Sequence, residues 1–494
     1  MSGHLGEQAF RRVLMLCLLV YLFSAKGNVE VEDTRYSIET AQAIVTRGQL
    51  DIPYSESYTL RGPDGKSYSK YGIGLALYYV PWVAAGGVLS RLVHLPWPAL
   101  TSFLVSFANI PFAILTIILF AKLLRLFGLA GNYVWLLALG LGLGTPMWHY
   151  AVSDFSEAMQ MCLLILAIYG VVRGTSEGFI EGGIGFAGLI LVKLVYAPFF
   201  LLFLAYLLTR PGELRQRIRN AALFAWPAVL AVCFVVWLNV VRFGNPLESG
   251  YGNEARQFLP SQLWRTVPEL LGSLDRGLFI YGPLLVLGLF GWKRFASKYR
   301  SEALLCGAVL LGNLILAAAW HSWEGGWSWG PRLLIPAIPL WLLPAAFWLE
   351  RQRSQARYWA FAALLLISVA AQIPGVLVKD SEIHVIKEQM LTAQERRSAP
   401  SNYVAACILF WHKLGGRSEV YRVSELEIPG DHQLSLNRHR TFVGLNVWTE
   451  QVARQMNMPA LRWLPLLALL LFGYLAIPIR VTMKEGWDAT PGAL

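Results

Sequence analysis

The apolar residues of this chain come in long blocks, not in alternation. Residues 100–124, 221–241, 277–292, 304–320 and 333–349 are each near the roughly 20 residues that a helix needs to cross a bilayer core. Residues 13–25 form a shorter block behind Arg11 and Arg12. That block ends Leu22-Phe23-Ser24-Ala25-Lys26, which lacks the small-residue pattern of a cleavage site, so it reads as a retained first helix. Charged residues make up 15% of the chain, against roughly 25% in soluble domains, and aromatic rings gather at block ends, where an interface suits them. The pattern predicts an all-α polytopic membrane protein.

Charge then sets the topology. Arg and Lys cluster between the blocks, at Lys122/Arg125, Arg173, Arg210/Arg215/Arg217/Arg219, Lys293/Arg294/Lys298/Arg300, Arg351/Arg353/Arg357 and Arg480/Lys484. Such an excess marks cytoplasmic loops, so these clusters and Arg11/Arg12 belong on the inner side. Parity permits that only if residues 72–93 do not cross. The stretch is long and apolar enough to span, but Pro81 and Gly86-Gly87 interrupt it, and we expect it to lie along the outer surface or re-enter. The other spans fall near 133–149, 157–172, 183–195, 196–209, 221–241, 277–292, 304–319, 333–349, 358–377 and 461–480, about twelve in all with both termini inside. Residues 26–91, 147–157, 242–276, 320–332 and 378–460 then face outward.

Other composition signals narrow the function. The net charge of +11 reports topology here and does not indicate nucleic acid. Cys17, Cys162, Cys233, Cys306 and Cys407 are scattered without pairing or metal spacing and read as small hydrophobes. No phosphate-binding P-loop, dinucleotide fingerprint, H-E-x-x-H or G-x-S-x-G is present, so nothing points to ATP, zinc or a serine nucleophile.

The outward stretches hold the polar chemistry. The first begins Glu30-Val31-Glu32-Asp33-Thr34-Arg35-Tyr36 and continues as a helical pattern to Arg47, stopping at Gly48. On such a helix Glu32, Arg35 and Glu39 share a face and can form an ion-pair ladder. The ladder accounts for Glu32 structurally and leaves Asp33 on another face, where a carboxylate can take a proton from a hydroxyl. Asp154 and Glu157 stand three apart at a helix start, so they serve either as a capping box or as a chemical pair. Lys193 lies in an apolar block at the outer boundary, where a cation either snorkels or has a functional partner. Arg242 follows a span directly and Arg332 precedes one, both among aromatics and glycines. Guanidinium forks suit phosphate oxygens, although an aromatic belt with anchoring arginines looks similar.

At these residues the chain resembles the GT-C glycosyltransferases that use lipid-linked sugars. The group in question contains protein O-mannosyltransferases and the bacterial enzyme that adds aminoarabinose to lipid A. The resemblance covers roughly residues 10–350. It rests on Glu32-Asp33-Thr34-Arg35-Tyr36 followed by Gly48 and Pro53, and on Tyr68-Ser69-Lys70-Tyr71-Gly72. Residues 153–157, 243–251 and 323–332 add to it, and the set is far more specific than any single motif.

The resemblance implies a GT-C transmembrane catalytic module over 1–377, with a helical juxtamembrane first loop at 26–91. A small outer segment at 378–460 and a last helix with a cytoplasmic tail at 461–494 complete it. The donor would be a sugar on a polyprenyl phosphate, and the acceptor hydroxyl would belong to a lipid, glycan or protein. An acid of the first loop would act as general base, the anomeric centre would invert, and the carrier phosphate would leave. The family order is Asp then Glu, whereas here Glu32 precedes Asp33. Register therefore favours Glu32 and the ion-pair argument favours Asp33; we take Asp33, with Glu32 beside it. Glu157 is the candidate second acid, with Asp154 next to it. Lys70, Lys193, Arg242 and Arg332 would bind the donor phosphate, and Tyr36, Tyr68, Tyr71, Tyr251 and Trp327 would line the substrate. No cofactor is expected. Some related enzymes hold a divalent metal between acidic loops, but no His or third acidic cluster supports one here. The implied location is a bacterial inner membrane, with the site facing the periplasm and membrane lipids around it. Two other readings remain. One is a polysaccharide polymerase or ligase consuming a diphosphate-linked glycan. The other is a lipid-sugar transporter or flippase, which would want polar residues deep in several spans and inverted repeats.

Overall fold

The computed structural model describes residues 2–350, 355–383, 401–414 and 444–455, with 458, 460–461 and 464. The expected span at 461–480 and most of the segment 378–460 lie outside the described residues. Apart from one two-stranded sheet, the regular structure described is helical. Among the described residues, six helical stretches are long and apolar enough to cross a membrane: Ile73–Val93, Trp97–Leu126, Leu214–Phe243, Arg300–Ala319, Arg332–Glu350 and Gln355–Leu377.

The first helix, α1 (Ser2–Ser24), begins well before the apolar block that predicts it. It buries Val13, Cys17 and Tyr21 in the main core, and the Tyr21 hydroxyl donates to Gly142 O at 2.7 Å. Helix α2 (Glu32–Arg47) occupies the range that the sequence pattern predicts and ends at Gly48, whose φ of 64° favours a residue without a β-carbon. A hairpin follows, β1 (Thr59–Arg61) against β2 (Ser67–Ser69), around Gly62-Pro63-Asp64-Gly65. This turn signature was there to be read, yet the apolar-block reading passes over it.

Helix α3 (Ile73–Val93) is continuous through Pro81 and Gly86-Gly87, so these residues do not interrupt it as expected. It turns back through α4 (Trp97–Val105) into α5 (Ile110–Leu126). The two arms run antiparallel: Tyr78 Oη donates to Ala108 O, Trp97 Nε1 donates to Val83 O, and a β-carbon on Gly86 would lie 2.5 Å from Thr101 Oγ1. The chain thus leaves one level at Tyr78 and returns to it at Ala108. Such a hairpin keeps parity without lying flat.

Helices α6 (Gly131–Leu143), α7 (Met147–Val152), α8 (Glu157–Arg173) and α9 (Ser176–Val192) continue the bundle. Small residues let α8 and α9 approach closely, since a β-carbon on Gly170 would lie 2.4 Å from Gly178 O. The expected spans 183–195 and 196–209 are divided at Lys193, after which a 3-10 turn (Leu194–Phe199) leads into α10 (Phe200–Thr209) and α11 (Leu214–Phe243). Beyond α12 (Leu263–Gly272), the expected span 277–292 is broken at Gly282-Pro283 into α13 (Leu278–Tyr281) and α14 (Val286–Lys298). Then come α15 (Arg300–Ala319), a 3-10 segment (Arg332–Ala337), α16 (Ile338–Leu342), α17 (Ala345–Glu350), α18 (Gln355–Leu377), α19 (Asn402–Leu414) and α20 (Trp448–Gln455).

The described basic clusters gather at one end. Arg125 meets Glu7 at 2.7 Å, Arg210 meets Glu302 at 3.7 Å, Arg294 meets Glu350 at 3.7 Å, and the Tyr299 hydroxyl ties to Phe127 O. Helix α5 descends to that end from Asn109, whose amide donates to Ser153 O and Phe155 O. Its 17 residues rise about 25 Å, close to a hydrocarbon core's thickness. The starts of α5 and α8 and the ends of α1 and α9 therefore share the opposite end, where the acidic residues lie.

Candidate active site

Asp33 and Glu157 arrive at one point from different elements. Asp33 lies in the first turn of α2, and Glu157 is the first residue of α8. Arg332, at the start of its 3-10 segment, joins them: Nη2 to Asp33 Oδ2 at 2.5 Å and Nε to Glu157 Oε1 at 2.8 Å. Lys193, held at the break after α9, reaches the same Glu157 oxygen at 3.3 Å. The Tyr71 hydroxyl donates to the other Asp33 oxygen at 2.8 Å. The Arg332 guanidinium lies over the Phe155 ring, 4.4 Å from its centroid, which fixes its plane.

Electrostatics follow from these contacts. Burial favours the neutral form of Asp33, but the charge and hydrogen bond of Arg332, with Lys193 and Tyr71, outweigh it and hold the carboxyl below its ordinary value. Burial and the Asp33 charge push Tyr71 up, so it stays protonated and donates. Glu157 is almost fully buried, and among the described residues its Oε2 accepts no hydrogen bond.

Lys70 leaves the end of β2 into a cage of tyrosines. Its ammonium stands 5.5 Å from the Tyr58 centroid, 5.5 Å from Tyr251 and 6.0 Å from Tyr71. Tyr36, one turn past Asp33, stacks on Tyr58 at 4.9 Å. The ammonium is paired with Glu254 at 3.1 Å. Burial, with Asp33 next in weight, pushes Tyr251 up, so it too remains a neutral donor.

Arg242 ends α11 and is buried. It donates to Ser69 O at 3.2 Å and to Asn239 Oδ1 at 3.1 Å, bracing the strand that presents Lys70. It lines a small cavity with Ser37, Thr40, Ser69, Tyr71 and Gly72, across Tyr71 from Asp33.

Other expected residues stand apart. Glu32 forms the anticipated ladder, with Arg35 3.8 Å from Glu32 and 3.2 Å from Glu39. The Asp154 carboxylate turns to the backbone instead of the site centre, accepting from Glu30 N at 3.2 Å and Val31 N at 3.0 Å. The Thr34 hydroxyl donates to its carbonyl. Asp154 therefore caps the approach to α2, not the start of its own helix as the spacing suggests. Tyr68 directs its hydroxyl to Asp64 Oδ2 at 2.6 Å and packs edge-on against Phe243. Trp327 is well exposed on the turn before Arg332.

The sequence reading missed several supporting residues. Tyr58 and Glu254 touch the site but sit in no motif, and Phe155 lies within the 153–157 motif without being singled out. Arg276 is buried and donates to Ser328 O at 2.5 Å, Gly330 O at 3.2 Å and Gly326 O at 2.7 Å, which fixes the turn before Arg332. Its place directly before the apolar block 277–292, like that of Arg332 before 333–349, is the signal that the sequence carries.

The Arg332 cation occupies the place between Asp33 and Glu157, and Asp154 is committed to backbone amides. Among the described residues, no three His, Cys, Asp or Glu side chains converge as metal ligands.

No known family matches the sequence, and neither does any curated protein. Solved structures do. The chain is similar to ArnT from Cupriavidus metallidurans in the apo state, at 17% identity over 82% of this chain and 70% of that one, with a TM-score of 0.50. ArnT from the same organism bound to undecaprenyl phosphate gives 18% identity over 83% and 71%, with a TM-score of 0.49. The archaeal oligosaccharyltransferase AglB from Archaeoglobus fulgidus, in complex with an inhibitory peptide and a dolichol-phosphate, gives 12% over 78% and 58%, with a TM-score of 0.46. The first of these likenesses shows that the chain shares the fold of ArnT.

Proposed function

We propose that this protein transfers a sugar from a polyprenyl-phosphate carrier to an acceptor hydroxyl at the outer face of the membrane. One observation carries the reading: Arg332 gathers Asp33 and Glu157 at the mouth of the bundle, beside the Lys70 tyrosine cage. A carboxylate able to act as base thus stands next to cations able to take a phosphate. Asp33 removes the acceptor proton. The acceptor oxygen bonds to the anomeric carbon with inversion, and the bond from that carbon to the phosphate oxygen breaks. The electron pair leaves with the carrier phosphate. Lys70 and Arg332 stabilise the charge that develops there, the kind of preorganised help that lowers barriers most. Lys193 is paired with Glu157, Glu157 holds Arg332 in place, and the tyrosines flank the sugar.

The positive-inside rule supports a cytoplasmic basic end and an outward-facing acidic end; in this reading the membrane is a bacterial inner membrane and the acids face the periplasm. The acceptor is a lipid, glycan or protein. Two residues test the assignment. Purified protein given a polyprenyl-phosphate sugar should glycosylate an acceptor, and Asp33→Asn should lose at least about a hundredfold in turnover, as loss of a general base does. Glu32→Gln should keep most activity, because Glu32 serves the Arg35 ladder. Full turnover by Asp33→Asn would sink the proposal.

A further inference from the structure

The four ion pairs that hold Arg332, Lys193 and Lys70 differ in how easily they part. Arg332 spends Nη2 on Asp33, Nε on Glu157 and Nη1 on the Gly325 carbonyl at 3.4 Å. Lys193 sits on Glu157 and Lys70 on Glu254. Arg242 is turned onto Ser69 O and Asn239. Asp33, Glu157 and Glu254 thus balance Arg332, Lys193 and Lys70, and a phosphate that takes the Nη2 position on Arg332 displaces Asp33.

Glu254 is 39% exposed, and an exposed pair opens at little cost. Glu157 is 1% exposed, and stranding it is expensive. Asp33 is 26% exposed and keeps the Tyr71 hydroxyl when Arg332 leaves it, so it is the cheaper of the two carboxylates for Arg332 to release. The guanidinium itself need not move, because Phe155 and Glu157 hold it.

We infer that the donor phosphate and Asp33 compete for the Nη edge of Arg332, so that donor binding frees the general base. The inference rests on the transferase reading above. In the resting site the guanidinium ties up the carboxylate and makes it a weak base. A phosphate suits the same planar fork. Once it takes the Nη edge, Asp33 loses its cation and gains a neighbouring negative charge, and both changes raise its basicity. The acceptor hydroxyl then meets an active base only where donor is already bound, which orders the two substrates.

The test is a binding cycle with undecaprenyl phosphate and the full-length protein in detergent. Asp33→Asn keeps the shape of the side chain and removes the competing charge. It should bind the carrier about tenfold more tightly than the unaltered protein, whereas Arg332→Gln with Asp33→Asn should bind no more tightly than Arg332→Gln alone. An Asp33→Asn affinity equal to or weaker than that of the unaltered protein overturns the exchange. Equal tightening in both backgrounds also overturns it, because the effect would then be general charge and not this arginine. Asp33→Ser repeats the comparison if Asp33→Asn fails to fold. No binding by the unaltered protein is a separate failure, that of the transferase reading.

Discussion

Arg332 and Asp33 are 299 positions apart in the chain, and their side chains meet at 2.5 Å. The same guanidinium takes the buried Glu157, so one arginine couples α2, α8 and the turn before α16. Arg332→Gln leaves Glu157 short of a cation and should cost about 3–5 kcal/mol in stability along with turnover. Arg332→Lys retains the charge but cannot span both carboxylates, so activity should fall far more than stability. Thermal unfolding and turnover of the two variants in the same detergent check this. Equal loss of both properties in the lysine variant would argue against the bridging role.

Asp154 separates capping from catalysis. Its carboxylate accepts two backbone amides ahead of α2, a task that the Asn oxygen can share and Ala cannot. Asp154→Asn should keep turnover within a few fold. Asp154→Ala should cost about 1–3 kcal/mol and misplace Asp33. The pH dependence gives a second signature. Burial, with the Glu30 charge beside it, pushes Asp154 up to about 7 from an ordinary 3.8, so between those values the folded protein holds a proton that the unfolded chain has lost. Stability falls as pH rises through that window and is level outside it. The slope should be smaller in Asp154→Asn, measured by chemical denaturation from pH 4 to 8.

Local pattern made part of this arrangement legible. Helix α2 follows its periodicity to the Gly48 stop, and the ladder on Glu32 separates it from Asp33. Periodicity reports one helix face at a time, so partners far apart in the chain leave no trace in it. That is why the spacing of Asp154 and Glu157 suggested a shared role, although Asp154 serves Val31, 123 positions away. Breaks inside apolar blocks were equally hidden. Gly282-Pro283 and Lys193 stop helices because backbone and charge need partners there, while composition stays apolar on both sides. Pro81 erred the other way, since α3 runs through it.

Lys70 should govern donor binding without governing stability. Its partner Glu254 is 39% exposed, and surface pairs contribute about 0–1 kcal/mol. Lys70→Gln should raise the donor KM roughly tenfold, a loss of about 1.4 kcal/mol in binding. Its melting temperature should stay within about 2–3 °C of the unaltered protein's. A large melting shift with unchanged KM would make Lys70 a structural residue.

The glycine contacts between α8, α9 and α11 should tolerate no added methyl group. A β-carbon on Gly183 would lie 2.3 Å from Phe224 O, and one on Gly170 would lie 2.4 Å from Gly178 O. Both obstacles are backbone atoms, which cannot swing aside. Gly183→Ala or Gly170→Ala should each cost about 1–3 kcal/mol by overpacking. The folded fraction should keep its KM, because neither residue approaches the site; a changed KM would show that this packing shapes the substrate contacts.

The α3–α4 hairpin decides which groups share a side of the membrane, and accessibility can test it. Residues before α3 and after α11 should be reached from one side, and the ends of α5 and α14 from the other. Gln49 and Asn245 are exposed at the acidic end, and Lys122 and Lys298 are exposed at the basic end. Single cysteines at these four positions, in a Cys233→Ser/Cys407→Ser background, give a clean readout, because Cys17, Cys162 and Cys306 are buried. A membrane-impermeant thiol reagent applied outside intact cells should label Gln49→Cys and Asn245→Cys and spare Lys122→Cys and Lys298→Cys until the membrane is opened. The positive-inside rule and the return of the chain from Tyr78 to Ala108 both require this outcome. Labelling of Lys122→Cys from outside would mean that the hairpin crosses. Arg332 and Asp33 could then no longer be reconciled with an outward-facing site.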